Sequence, residues 1–429
     1  MTTTDTLYAR AAGMIPGGTS RLHYYYAPHP IYAARGKGCR LTDLDEVTRI
    51  DFLNNMTALI HGHADPEINA AIIEQLQYGT AWSEPGEAEV QLAAEMTRRV
   101  PSLERVRFAN SGTEAVMMAI KLAREYTGRA GIAKFEGHYH GYYDPMQVSV
   151  GTPPAAWGPD DAPASVPVSG GLSPSAVQEV VVLPWNDREA TERLLTQHAP
   201  RLACLILDPL ANRCGAVPPA PGFTAFLRAL TRQLGIVLIY DEVISFRVSY
   251  GGAQERYGGD PDLTTYGKVI GGGLPVGAVG GRAEIMAMLD PTGGKARVES
   301  GGTFSANPLT MVAGLAALAK WDRAAVERLN AMGDTLRARA NAIFAEAGEA
   351  AQLSGDASMF RVMLTRAPIH DYRSGVRTAQ PMARMTTLHQ RLMAEGIIIS
   401  RIGLGCLSTP MGEAELDAFC DALTRALAG

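Results

Sequence analysis

From about residue 104 to residue 280, short continuous apolar runs alternate with segments of helical periodicity. Few folds accommodate that pattern. Val180 to Leu183, Leu202 to Leu207 and Ile236 to Tyr240 are apolar throughout and of strand length. Strands apolar on both faces belong in a mostly parallel sheet with helices above and below, and Glu114 to Tyr126 reads as one such helix. After Asn307 the chain becomes helical and Ala/Arg-rich to about Glu349. Two strand candidates follow, Met359 to Leu364 and Ile397 to Ile402, then an amphipathic helix from Glu413. That order predicts a smaller α+β domain.

The first 50 residues read as a loop-rich arm, with Pro16-Gly17-Gly18, the aromatic cluster Tyr24-Tyr25-Tyr26 and short strand-like pieces. Asp65-Pro66 opens a helix carrying Ile68, Ile72 and Leu76, which Gly79 ends. The expected organisation is an arm at 1–55 that joins the small domain, a large domain at 56–306 and a C-terminal small domain at 307–429. Gly151 to Pro174, rich in Pro, Gly, Ala and Ser, is expected to be a long surface loop of the length that often forms a lid.

Charge and cysteine content exclude several classes. The net charge of -5, with acids and bases mixed and no basic run, argues against a nucleic-acid partner. Five dispersed cysteines form neither a disulfide framework nor a zinc motif. The N-terminus lacks a signal-peptide pattern, and no apolar run approaches the roughly 18 residues of a membrane span. A cytoplasmic enzyme is the expectation.

Four short segments could carry chemistry. Asn110-Ser111-Gly112-Thr113-Glu114-Ala115 opens a strong helix, where unpaired N–H groups and small residues admit a phosphate; an ordinary N-cap reads the same way. Tyr240-Asp241-Glu242-Val243 ends an apolar strand, so Asp241 could pair with a pyridine nitrogen, or simply cap the next helix. Tyr266-Gly267-Lys268-Val269-Ile270 and three following glycines surround a lysine whose charge desolvation would disfavour, leaving an amine able to form an imine; a surface lysine is the plain alternative. In Gly137-His138-Tyr139-His140-Gly141 the two histidines lack a third ligand, so no metal is expected, while Tyr139 could stack on a planar ring.

In their order and spacing these segments resemble class III (ω-type) aminotransferases of fold type I. The likeness is greatest to glutamate-1-semialdehyde aminomutases and β-amino-acid (β-phenylalanine) aminotransferases. It runs from Ile15-Pro16-Gly17-Gly18 through His61-Gly62-His63 and Gly302-Thr303-Phe304-Ser305-Ala306-Asn307-Pro308-Leu309 to Leu407-Ser408-Thr409-Pro410. The resemblance implies a PLP-dependent α/β fold with a central, mostly parallel seven-stranded sheet. It also implies pyridoxal 5′-phosphate as cofactor, with the pyridoxamine form as intermediate. Lys268 would carry the Schiff base and relay the proton, and Asp241 would bind the pyridine nitrogen. Val243 and Tyr139 would cover the two ring faces, with His140 beside Tyr139. Ser111, Gly112 and Thr113 would hold the phosphate, helped by Thr303 of a neighbouring subunit in a homodimer.

Departures from the family pattern bear on substrate. Asp208-Pro209 stands where relatives carry Glu-Pro, and Asn212-Arg213-Cys214 replaces the aminomutases' Gly-Asn-Met, placing Arg213 near the expected substrate side. The run from Thr19-Ser20-Arg21 to Ala27-Pro28 resembles the β-transaminase segment whose arginine binds substrate carboxylate, and Ser400-Arg401 resembles their second arginine. A guanidinium fork can meet a carboxylate with two hydrogen bonds. The expected activity is transfer of an amino group from a β- or ω-amino acid to a keto acid. The alternatives are an aminomutase acting on a semialdehyde and a catalytically idle homologue.

Overall fold

The apolar runs lie in one seven-stranded sheet of the computed structural model, which describes residues 2–377 and 382–428. In chain order its strands are β1 Arg105–Ala109, β2 Gly131–Phe135, β3 Val180–Leu183, β4 Leu202–Leu207, β5 Val237–Asp241, β6 Leu263–Gly267 and β7 Gly277–Gly281. Their spatial order is β1-β7-β6-β5-β4-β2-β3. Only β7 runs antiparallel to its neighbours. Alternate residues serve opposite faces. Cys204 and Ile206 pack with Val116, Ile120 and Val279, whereas Leu205 and Leu207 pack with Phe223 and Leu227. Burial on both faces explains why these strands read as unbroken apolar runs.

This sheet belongs to a unit made of Glu67–Glu327 and Ala367–Thr378. A second unit gathers Met1–Pro66, Arg328–Arg366 and Ala379–Gly429. It contains the strands Ala33–Lys37, Arg40–Asp43, Thr48–Asp51 and Ile397–Ile398 in one sheet, and Gln352–Ser354, Met359–Met363 and Leu404–Cys406 in another. Phe52, Phe360 and Phe419 form its aromatic centre, with ring centroids 5.0 to 6.1 Å apart. The boundary expected at 55/56 falls inside this unit, and that expected at 306/307 falls inside the sheet unit.

Local expectations fare unevenly. The helix after Asp65 is Pro66–Leu76, and the helical stretch after Asn307 forms Pro308–Lys320 and Arg323–Glu346. The strand expected over 397–402 stops at Ile398, because a turn with Gly403 at φ +84° interrupts it. Gly151 to Pro174 is the expected long, mostly exposed loop, anchored where Thr152 and Trp157 are buried and where Val148 bridges Pro167. Among the described residues no helix is long and apolar enough to cross a membrane.

Candidate active site

Four segments converge at the carboxyl ends of β5 and β6, the region where open α/β sheets bind ligands. Val243 is the hinge of this convergence. A Cβ placed on Gly112 would lie 2.9 Å from its methyl groups, and one on Gly267 would lie 3.3 Å away. The fourth segment joins through Gly141, at φ +86°, where a Cβ would fall 2.4 Å from Thr113 Oγ1. Tyr142 N–H donates to that same hydroxyl at 3.3 Å.

Lys268 follows β6 directly. Its backbone is held at φ +51°, a strained conformation for a residue with a side chain. The side chain is half-buried and makes no hydrogen bond among the described residues. Burial pushes its pKa below the usual lysine range, against the opposing pull of the Asp241 and Asp208 carboxylates.

Asp241 ends β5 and is buried. Its Oδ2 accepts from His140 Nδ1 at 2.7 Å, and its Oδ1 accepts from Thr265 Oγ1 at 3.0 Å and Val243 N at 3.2 Å. His140 is itself buried, which disfavours its charge, and its Nε2 has no partner among the described residues. Neighbouring Glu242 points elsewhere and accepts from Ala253 N at 2.6 Å and Gln254 N at 3.2 Å, capping the helix Ala253–Tyr257. Adjacent acids at the end of this strand thus serve different ends.

The helix Gly112–Thr127 begins at Ser111, whose hydroxyl accepts from Glu114 N at 3.2 Å while the Glu114 carboxylate accepts from Ser111 N at 3.1 Å. This capping box realises the plain N-cap reading of Ser111. It leaves the N–H groups of Gly112 and Thr113 without partners among the described residues, at the positive end of a 16-residue helix.

An anion at Gly112 and Thr113, a cation at Asp241 and a carbonyl at Lys268 are the complements of this donor set. The residues present therefore fit pyridoxal 5′-phosphate, whose phosphate, pyridinium and aldehyde carry those properties.

The Arg213 guanidinium lies over the Tyr139 ring, 4.6 Å from its centroid. Arg213 forms no hydrogen bond or ion pair among the described residues, and burial lowers its pKa. The shorter Asp208 is committed to the turn that carries Arg213: its carboxylate accepts from Leu210 N at 3.0 Å and Asn212 Nδ2 at 3.2 Å. Burial, then the Asp241 charge, push Asp208 up to about 8.

In the other unit Arg21 stacks on Tyr24 at 3.8 Å, and its Nη1 donates to Asn55 Oδ1 at 2.7 Å. Tyr24 Oη donates to the same oxygen at 2.8 Å. Asn55 is presented by four consecutive residues in left-handed conformation, Asn54 to Thr57, with φ between +48° and +74°. Sequence reasoning did not find Asn55; two adjacent asparagines, which tolerate that conformation, were the available signal. Arg401 is exposed; burial chiefly, and then the Arg401 charge, push His389 down to about 4, and the His389 ring packs edge-on against Tyr26 at 5.1 Å. Thr303 is exposed beside a cavity of about 520 Å³ that Trp82, Arg107 and Asn307 also line. A larger cleft of about 880 Å³ around Arg98, Tyr250 and Asp260 contains none of the predicted site residues. No group of three or more potential metal ligands occurs among the described residues.

Fold and site together define a fold-type-I, pyridoxal-phosphate-dependent enzyme. Residues 24–427 match the class-III aminotransferase family, and the chain belongs to it. The glutamate-1-semialdehyde 2,1-aminomutase of Methanothermobacter thermautotrophicus is 37% identical over 428 residues, covering 99% of both chains. An ω-transaminase from Sphaerobacter thermophilus is 51% identical with a TM-score of 0.97, over 100% of this chain and 97% of that one. A β-phenylalanine aminotransferase from Variovorax paradoxus is 34% identical with a TM-score of 0.90, over 99% of this chain and 94% of that one.

Proposed function

We propose that this enzyme is an aminotransferase that moves an amino group from a β- or ω-amino acid to a keto acid in two half-reactions. The observation that carries the reading is Arg21. It is braced by Tyr24 and Asn55 through one edge, while Nε and Nη2 have no partner among the described residues. That is a guanidinium with its fork available to a carboxylate. The likeness to an ω-transaminase and to a β-phenylalanine aminotransferase supports the same reading.

When bound, pyridoxal 5′-phosphate supplies an aldehyde for imine exchange and a ring that takes up electrons. Lys268 would be the amine that joins it, and its Nζ would hold the proton that leaves the amine-bearing carbon of the substrate. Asp241, oriented by His140 and Thr265, keeps the ring nitrogen protonated. Val243 and Tyr139 cover the ring faces, and Ser111, Gly112 and Thr113 hold the phosphate. Arg21 and Arg401 take the substrate carboxylate, and Arg213 lies on the substrate side of Tyr139. Thr303 of a second copy completes the phosphate site in a homodimer. Exposed Tyr78, Trp82, Val90 and Phe304 are apolar surface suited to such an interface. The five cysteines form no disulfide among the described residues, which suits a reducing cytoplasm.

The aminomutase alternative is favoured by the 37% identity to a glutamate-1-semialdehyde aminomutase. Adding 3-amino-3-phenylpropionate to cofactor-loaded enzyme without a keto acid separates the two. The proposal expects the visible cofactor absorption to be lost stably and restored by pyruvate or 2-oxoglutarate. An unchanged spectrum, together with turnover of glutamate semialdehyde without any keto acid, would establish the aminomutase.

A further inference from the structure

Arg373 lies in the short helix Tyr372–Arg377, in a stretch that belongs to the sheet unit although chain of the other unit flanks it on both sides. It is 5% exposed. Its Nε and Nη2 donate to Glu136 Oε2 and Oε1 at 2.7 and 3.2 Å, a forked pair within the core. Nη2 also donates to Trp157 O at 2.7 Å. Nη1 reaches Gly158 O at 3.1 Å, Pro159 O at 2.9 Å and Asp160 Oδ1 at 2.7 Å. Beside it, Tyr372 Oη donates to Thr152 O at 2.9 Å, and a Cβ on Gly137 would come 2.5 Å from the Tyr372 ring.

One guanidinium therefore ties the loop at 152–160 to Glu136, three residues before Tyr139. The far side of the same turn is held by Lys134, whose Nζ donates to His138 O at 2.9 Å and Val148 O at 2.6 Å. A buried ion pair of this kind adds little net stability over an apolar pair, but removing one partner strands a buried charge and is strongly disruptive. Glu136 is such a charge: burial pushes its carboxyl upward, and Arg373 is the opposing influence.

We infer that Arg373 is a positioning residue: by clamping residues 152–160 onto Glu136 it sets the turn that presents Tyr139 and His140, and it makes this loop a fixed wall. The inference rests on the reading of Tyr139 as the ring-stacking residue. A fixed wall suits an enzyme that exchanges a small donor and a small acceptor through an open site. It does not suit one that must close over a retained intermediate.

The test compares the wild-type holoenzyme with Arg373→Met and Arg373→Lys by three readouts. These are visible circular dichroism of the bound cofactor, KM and kcat for 3-amino-3-phenylpropionate, and the rate of chymotryptic cleavage after Trp157. The clamp predicts a resistant wild type. Arg373→Met should be cut about tenfold faster or more, since cleavage follows the population of the opened loop. Its cofactor dichroism should weaken and its KM rise roughly 10- to 100-fold, the cost of a small misplacement near the reacting atoms. Arg373→Lys should fall between the two. A wild type cut rapidly at Trp157, or an Arg373→Met enzyme with altered Tm but unchanged dichroism and KM, would overturn the inference. Should Arg373→Met not fold, Asp160→Asn and Arg373→Lys carry the test, and unchanged cleavage in both also overturns it. Absence of turnover with any keto acid in the wild type would defeat the aminotransferase reading alone, because dichroism and cleavage still report on the clamp.

Discussion

Two lysines with depressed basicity lie in the same unit, and they are built for opposite purposes. Lys134 sits inside β2, fully enclosed, with its pKa pushed down to about 7 chiefly by burial. Its Nζ is held by the carbonyls of His138 and Val148. Lys268 stands just past the end of β6 on a strained backbone, half-buried, with no hydrogen bond among the described residues. Desolvation lowers both pKa values, so a perturbed lysine is not by itself a nucleophile. Position at a strand's carboxyl end and a free amine separate the two. The aspartates repeat the contrast. Asp241 directs its carboxylate to His140 and Thr265, whereas Asp208 is folded back onto its own turn.

The largest effect expected from breaking this contrast is at Lys268. Lys268→Ala should lower kcat by about 10⁴-fold or more in steady-state assays, because it removes both the covalent attachment and the proton relay. Lys134→Met should lose far less activity, because it removes only an anchor of the turn carrying Tyr139 and His140, and should lower Tm. Next, Asp241→Asn should reduce kcat roughly 10²- to 10³-fold, the usual loss when a preorganised electrostatic partner is removed. Arg21→Ala should raise KM for a carboxylated donor about 10- to 100-fold with kcat little changed, the worth of hydrogen bonds to a charged group. Amines without a carboxylate should be indifferent to it. Asn55→Ala, which only braces Arg21, should raise the same KM by roughly 3- to 10-fold.

Asp208→Asn should be the mildest, within about threefold of wild-type kcat/KM at pH 7, because a neutral acid is replaced by a neutral amide. It also has a pH signature. The folded pKa of Asp208, about 8, lies above its ordinary value of 3.8. Its stabilising contribution is therefore complete below that ordinary value and is lost as pH rises toward and through 8. Denaturant midpoints measured from pH 4 to pH 9 should fall more steeply for wild type than for Asp208→Asn. Parallel curves would show that Asp208 is ionised in the folded protein.

The sheet was legible in the sequence, and the candidate cofactor segments could be proposed from it, because the physics of both is local. Strands buried on both faces must be apolar throughout, and a phosphate-binding helix start needs small residues in sequence with its cap. The remainder depends on distant residues meeting. Arg373 and Glu136 are 237 positions apart, and neither has a local pattern that marks it. Asn55 meets Arg21 and Tyr24 only because a left-handed turn aims it between them. The loop at 151–174 was legible as a surface loop from its composition, but its anchor was not: Trp157 is a single aromatic among small residues.

Lys268, and not another lysine, is proposed to carry the cofactor. Borohydride reduction of the holoenzyme followed by peptide mass mapping tests it directly. One pyridoxyl group is expected, on the peptide containing Lys268, and none after preincubation with an amino donor that converts the cofactor to its amine form. A pyridoxyl group on Lys134 or any other lysine, with Lys268 unmodified, would contradict it.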